Sequence, residues 1–111
     1  MKLLLDENFP KRLKQDFPEH EIYSIRDKNW NGKKNGELLV LLLEEGFDAL
    51  LTFDRNLQFQ QNFNRYSLPV LALNAQDNTY FVLKKLVPQI KSKLQEGLKA
   101  GPNEIKAEEE L

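Results

Sequence analysis

Residues 50–56 read LLTFDRN, and residues 3–8 read LLLDEN. In each stretch an apolar run, of the kind that forms a buried strand, ends at an acid, Asp54 in the first and Asp6 in the second. An asparagine follows two residues after each acid, as Asn56 and Asn8. The two stretches together predict a sheet with carboxylates at the ends of two buried strands.

The rest of the chain alternates between strand and helix patterns. Strands are predicted over 2–5, 21–26, 47–53 and 68–73, and helices over 9–17, from 37 to about 45, and over 78–98 with a kink or break at Pro88. Asn8 is the predicted cap of the first helix, and the second is apolar enough to be buried on nearly every face. This alternation predicts a three-layer α/β/α fold with a mainly parallel four-stranded sheet.

Composition excludes several kinds of site. The chain has 111 residues, no cysteine and a single histidine, His20, which excludes disulfides and thiolate metal sites and disfavours a histidine-based triad. The apolar runs are too short to cross a bilayer and no signal peptide is visible, so we expect a cytoplasmic protein without membrane contact.

The charge is distributed unevenly along the chain. We expect one domain over residues 1–100 and an acidic, flexible tail over 101–111, which the Gly101-Pro102 pair separates from the fold. The tail carries a charge of −3, against −1 for the whole chain, which leaves the domain mildly basic at +2. Such a balance permits RNA binding without demanding it.

In parallel sheets, ligands bind outside the carboxyl ends of the strands, where the strand order reverses. If the first and third strands are neighbours, Asp6 and Asp54 face one crevice, and Glu37, at the start of the second helix, lies at the same edge. Crowded carboxylates suit Mg²⁺ or Mn²⁺, which take oxygen ligands. Alternatively, each acid has a local role, as a turn or helix cap or as a complement to a helix dipole.

Three segments, KLLLDEN (2–8), NGELL (35–39) and LLTFDRN (50–56), resemble the compact PIN-like domains of bacteria, relatives of the PIN-domain ribonuclease toxins of toxin–antitoxin pairs. The resemblance extends to about Leu98. It implies Mg²⁺- or Mn²⁺-dependent cleavage of RNA by Asp6, Glu37 and Asp54, as metal ligands and catalytic residues. It also implies an antitoxin partner, and a homodimer stays open.

One position departs from the family pattern. Relatives often carry a second acid two residues after the third-strand aspartate, where this chain has Asn56. An amide brings no charge, so a second ion is expected to bind less well. We interpret Asn8 and Asn56 as substrate or outer contacts, and Thr52 as a residue that orients Asp54 by a hydrogen bond.

Further substrate contacts are predicted from charge and aromatic character. The loop DKNWNGKKNG (27–36) offers a tryptophan for base stacking and lysines for phosphates. The alternative is a solvated loop whose tryptophan packs against the body. Together with basic residues of the first helix and of the third-strand end, the candidates are Trp30, Lys33, Lys34, Lys11, Arg12 and Arg55.

Two other functional classes compete with the nuclease. A phosphoacceptor receiver domain also has an acid pair after strand one (Asp6-Glu7) and an aspartate after strand three (Asp54). It further requires a hydroxyl residue at the end of strand four and a fifth strand ending in lysine before proline, and neither is predicted here. The other class is a non-catalytic PIN-like module that binds a partner protein, which the Asn56 substitution favours.

Overall fold

The computed structural model describes residues 1–33, 35–53, 68–75, 77–98 and 101–106, and in it the chain forms an α/β fold around one parallel sheet. The five strands are β1 (Lys2–Leu5), β2 (Glu21–Ser24), β3 (Ala49–Thr52), β4 (Pro69–Asn74) and β5 (Gly101–Lys106). Their order across the sheet is β2-β1-β3-β4-β5, and every neighbouring pair is parallel. Strands β1 and β3 are neighbours, which is the condition on which the predicted meeting of their two carboxyl ends depended.

In the described residues, a short 3-10 helix (Lys11–Asp16) and three α-helices lie between the strands: α1 (Asn35–Glu44), α2 (Tyr80–Lys84) and α3 (Val87–Glu96). The break predicted at Pro88 is confirmed, because α3 begins with this proline in its first turn, where the missing N–H costs nothing. Within the described ranges, no helix combines the length and the apolar character that crossing a membrane requires.

The first helix differs from its prediction in type and in cap. It is a 3-10 helix that begins after Pro10, and no side chain caps it, so the prediction of an Asn8 cap is wrong. The preceding turn is instead held by Asp6, whose carboxylate accepts the Asn8 N–H and whose carbonyl accepts the Phe9 N–H. Asp6 therefore stabilises the turn before the helix and does not cap the helix itself.

Both faces of the sheet are buried. Leu3 and Leu5 of β1 belong to one core cluster, which also contains residues of the 3-10 helix, α2 and α3. Leu4 belongs to a second cluster, which contains Leu39 and Leu42 of α1. Successive side chains of a strand point to opposite faces, so the unbroken leucine run of β1 indicates a central strand covered on both sides.

The prediction that α1 is buried on nearly every face is wrong. Leu38, Leu39 and Leu42 are buried, but Val40 and Leu43 are substantially exposed. Residues three and four apart share one face of a helix, and the buried leucines fit that one face, which is the face in the core cluster. The helix ends at Glu44, and Gly46 shortly after it has a positive φ of 75°, which suits the glycine predicted for this position.

The sheet has a fifth strand that the sequence did not predict. Residues 101–106, assigned to the flexible tail, pair along their whole length with β4. Gly101 and Pro102 were interpreted as the end of the fold because both residues disrupt regular structure, yet proline is tolerated in a strand at the edge of a sheet. Ile105 is buried and attaches β5 to the core, and residues 107–111 lie outside the described part of the chain.

Candidate functional site

The strand order of the sheet reverses between β1 and β3. From β1 the chain passes to β2 on one side, and the later strands β3, β4 and β5 follow on the other. In doubly wound sheets this point leaves a crevice at the carboxyl ends of the two strands. Asp6 follows β1 directly, and Thr52 is the last residue of β3. The two side chains therefore meet where such folds bind their ligands.

The Asp6 carboxylate is buried and joins the two strand ends. The residue is 8% exposed, and its Oδ1 accepts a hydrogen bond of 2.9 Å from the Asn8 N–H. Its Oδ2 accepts one from the Thr52 hydroxyl and one of 3.3 Å from the Phe53 N–H. The hydroxyl of Thr52, itself fully buried, thus donates to Asp6. The predicted contact of Thr52 with Asp54 lies outside the described residues.

Burial raises the pKa of the Asp6 carboxyl above its ordinary value. The hydrogen bonds from Thr52, Asn8 and Phe53 act in the opposite direction, and the nearby charge of Glu7 adds a small further rise. Among the described residues no cation forms an ion pair with Asp6. Within the described ranges, the groups that compensate its negative charge are the dipoles of these N–H and O–H donors.

The other two predicted metal ligands are Glu37 and Asp54. Glu37 lies in the first turn of α1 as predicted, but it is exposed and its carboxylate lies 3.9 Å from the Lys33 ammonium. Asp54 lies outside the described residues. Within the ranges the structure describes, no three acidic, histidine or cysteine side chains are grouped closely enough to hold a metal ion.

The predicted substrate contacts divide into three groups. Asn8, Lys11 and Arg12 are exposed on the segment that follows Asp6, and the Asn8 carbonyl accepts a hydrogen bond of 2.8 Å from Asn78. Lys33 is exposed at the start of α1 beside Glu37. The third group, Lys34, Arg55 and Asn56, lies outside the described residues.

Trp30 adopts the alternative that the sequence left open. It is 8% exposed and packs edge-on against Phe47, with ring centroids 5.9 Å apart. The ammonium of Lys28 lies 5.5 Å from the indole centroid. The tryptophan therefore packs against the body of the protein, and in this conformation it is not placed to stack on a base.

Sequence reasoning missed the segment between β4 and α2. Asn78 joins it to Asn8, and Tyr80 and Phe81 open α2 with adjacent aromatic rings. A signal was present in the helical pattern, because Phe81 falls off the apolar stripe formed by Leu83, Leu86, Val87 and Ile90. A large aromatic on the polar face of a helix indicates a surface contact.

Comparisons with protein-family models, with curated protein sequences and with solved structures gave no match. The chemistry assigned to the site therefore rests on the geometry of this chain.

Proposed function

We propose that this protein is a metal-dependent ribonuclease with a PIN-like, three-layer α/β/α fold, in which Asp6 holds Mg²⁺ or Mn²⁺. The observation that supports this proposal is the buried Asp6 carboxylate at the β1/β3 crevice, which no described cation neutralises. A buried carboxylate with a raised pKa at the end of a central strand is a candidate functional group. A divalent cation would offset the cost of its burial.

The remaining ligands in this proposal come from the sequence. Asp54 is the next residue after Phe53, whose N–H donates to Asp6, and Glu37 opens the helix that precedes β3. One or two carboxylates, supplemented by substrate phosphate and water, are a usual ligand set for Mg²⁺. When bound, such an ion polarises the phosphodiester and lowers the pKa of a water molecule.

The described residues around Asp6 orient the carboxylate. The hydrogen bonds from Asn8, Thr52 and Phe53 hold both carboxylate oxygens, so that the group is presented in one orientation. Fixing a ligand in advance lowers the entropic cost of binding an ion. In the proposal Asn56, in place of an acid, leaves the second ion weakly held.

The resemblance extends the proposal to the partners. A toxin ribonuclease acts in the cytoplasm and is held inactive by an antitoxin, and a homodimer is compatible with the same role. The proposal of these partners depends on the nuclease activity and falls if that activity is rejected.

The test is cleavage of a labelled RNA in Mn²⁺ by the wild type, Asp6→Asn and Asp54→Asn, with Glu44→Gln as a control at the exposed end of α1. Loss of a residue that merely supports a ligand costs about 10- to 100-fold in metal affinity or activity. Removing a ligand should therefore reduce cleavage by at least about 100-fold, while the control stays active. Equal cleavage by the wild type and Asp6→Asn would reject the proposed site.

A receiver-like phosphoacceptor domain is a second candidate, because the structure contains the fifth strand that receivers require and that the sequence did not predict. Doubly wound folds with the order β2-β1-β3-β4-β5 include receiver domains. Two sequence features still disagree: β4 ends in Asn74-Ala75 without a hydroxyl, and Lys106 is followed by alanine where receivers have proline. Incorporation of phosphate from acetyl phosphate, abolished by Asp54→Asn, would support the receiver, whereas unlabelled protein would reject it.

A further inference from the structure

Four side chains surround the buried Tyr80 at the start of α2. The guanidinium carbon of Arg12 lies 4.4 Å from the centroid of the Tyr80 ring, and the Lys84 ammonium lies 5.6 Å from it. The ring of Phe81 meets it edge-on at 5.8 Å, and Gln15 contacts its hydroxyl at 3.3 Å. Arg12, Lys84 and Phe81 are thus grouped around one ring, and these three residues are called the patch.

The exposure of Phe81 requires an explanation. Its side chain is 72% exposed, more than that of any other large apolar residue in the described ranges, while its neighbours Tyr80 and Leu83 are buried. A phenylalanine in water forgoes the stabilisation that burial would provide. Exposed aromatic rings beside cations are the features with which proteins bind single-stranded nucleic acid, since every base can stack on a ring.

Arg12 and Lys84 differ from several other basic residues in having no acidic partner. Lys14, Lys28, Lys33 and Lys91 each lie within 4.0 Å of a carboxylate oxygen. Neither Arg12 nor Lys84 does so in the part of the chain that the structure describes. Stacking on Tyr80 restrains the guanidinium of Arg12 and leaves its N–H groups able to bind an anion.

The patch borders the Asp6 crevice. The N–H of Asn8 donates to Asp6, and the carbonyl of the same residue accepts from Asn78, two residues before Tyr80. The 3-10 helix that carries Arg12 begins three residues after Asn8. Asn8 thus connects the carboxylate on one side with the aromatic and basic patch on the other.

We propose that Phe81, Arg12 and Lys84 bind one unpaired strand of nucleic acid, with a base stacked on Phe81 and phosphates at the two cations. This proposal rests on the proposed ribonuclease function and names the form of its substrate, since the bound strand would lie beside Asp6. A protein partner fits less well, because one exposed phenylalanine with two cations near it offers little of the apolar area that stable protein interfaces bury.

The experiment measures binding without catalysis. Fluorescence anisotropy with a labelled RNA of about 12 nucleotides, within the range that single-strand binding sites cover, is recorded in EDTA, together with the DNA of the same sequence and both duplexes. We expect the single strands to bind more tightly than the duplexes. Phe81→Ala should weaken single-strand binding by about 10-fold, because stacking on an aromatic side chain is lost.

The basic residues are tested through the salt dependence. Arg12→Gln and Lys84→Gln should each reduce the slope of log K against log salt by about 0.7, the value for one phosphate contact to a single strand. Val40→Ala, an exposed apolar residue on α1, and Lys93→Gln, an exposed lysine on α3, are the matched controls and should bind as the wild type does. All the substituted side chains are exposed, and melting curves establish that each variant is folded.

The outcomes separate this proposal from the nuclease itself. If the wild type binds the single strand but does not cleave it in Mn²⁺, the nuclease is rejected and the binding patch remains. Wild-type affinity in Phe81→Ala, or equal affinity for single strand and duplex, would overturn the patch. The patch would also be overturned if Phe81→Ala abolished a self-association of the wild type but kept its affinity for the single strand, since Phe81 would then contact a second copy of the chain.

Discussion

Asp6 and Asp27 follow neighbouring parallel strands but lie in opposite electrostatic environments. Asp27, in the turn after the edge strand β2, accepts hydrogen bonds from the Lys14 ammonium and from the Ser24 N–H, and these lower the pKa of its carboxyl. Asp6, after the central strand β1, is buried among hydrogen-bond donors, and its pKa is raised. Among the described residues, Asp27 has a lysine partner and Asp6 has no cationic partner.

The difference shows why position in the sheet matters more than residue type. An acid at the edge of the sheet is exposed and can form an ion pair with a lysine of a neighbouring helix, as Asp27 does with Lys14. An acid at the central crevice is desolvated, and the described chain supplies it with N–H and O–H donors only. Uncompensated charge at a crevice is therefore a better indication of an ion site than acidity alone.

The largest expected effect is on stability when the acceptor at position 6 is removed. Asp6→Ala leaves the Asn8 N–H, the Thr52 hydroxyl and the Phe53 N–H without their partner, which should cost roughly 2–4 kcal/mol of unfolding free energy. Asp27→Ala breaks an exposed ion pair and should cost less than about 1 kcal/mol. Urea denaturation measures the unfolding free energy of both variants. Equal losses of stability in Asp6→Ala and Asp27→Ala would contradict the proposed difference between the two environments.

A smaller effect is expected from the hydroxyl that supports Asp6. Thr52→Val keeps the shape of the side chain and removes its donor, which should cost about 1.5–3 kcal/mol, the range for a hydrogen bond to a charged group. In the Asp6→Asn background the same substitution should cost less, since the charge is gone. A double-mutant cycle measures this coupling, and strictly additive losses would show that the two residues act independently.

The smallest expected effect is a pair of opposite pH dependences in EDTA. A raised folded-state pKa means that the contribution of Asp6 to stability is present at low pH and lost as pH rises through that pKa. A lowered one means that the contribution of Asp27 is present above the ordinary carboxyl pKa and lost as pH falls. The stability of the wild type relative to Asp6→Asn should thus fall with rising pH, and relative to Asp27→Asn it should rise.

Denaturation curves between about pH 3 and pH 7, which span the ordinary carboxyl pKa, measure these differences. Each comparison cancels the titrating groups that the two proteins share. Slopes of the same sign for both variants would show that Asp6 and Asp27 occupy similar environments.

Much of the sheet was predictable from local pattern. β1 was placed at its observed bounds because three leucines between a lysine and an aspartate fit a short buried strand. β5 was missed because its sequence GPNEIK opens with a glycine and a proline and shows no apolar run, although Ile105 is buried. Its pairing with β4 depends on backbone hydrogen bonds at the edge of the sheet, which leave no hydrophobic period in the sequence.

The sequence predicted the position of one site residue, Asp6, but not which aromatic side chain near the site is exposed. Asp6 was identified because an acid that ends a buried run is unusual, and its burial agrees with that reasoning. The aromatic residue suited to stacking was assigned to Trp30, which packs in the core, while Phe81 is exposed. Whether a loop aromatic packs inward depends on partners distant in sequence, here Phe47, which a local pattern does not reveal.

The most direct test of the ion site compares melting temperatures with and without millimolar Mn²⁺ for the wild type, Asp6→Asn and Asp27→Asn. An ion that binds only the folded state adds about 2.7 kcal/mol at 100 times its Kd, which raises the Tm of a domain of this size by at least several degrees. We predict this rise in the wild type and in Asp27→Asn, and its loss in Asp6→Asn. An equal rise in Asp6→Asn, or no rise in the wild type, would contradict the assignment of Asp6 as a metal ligand.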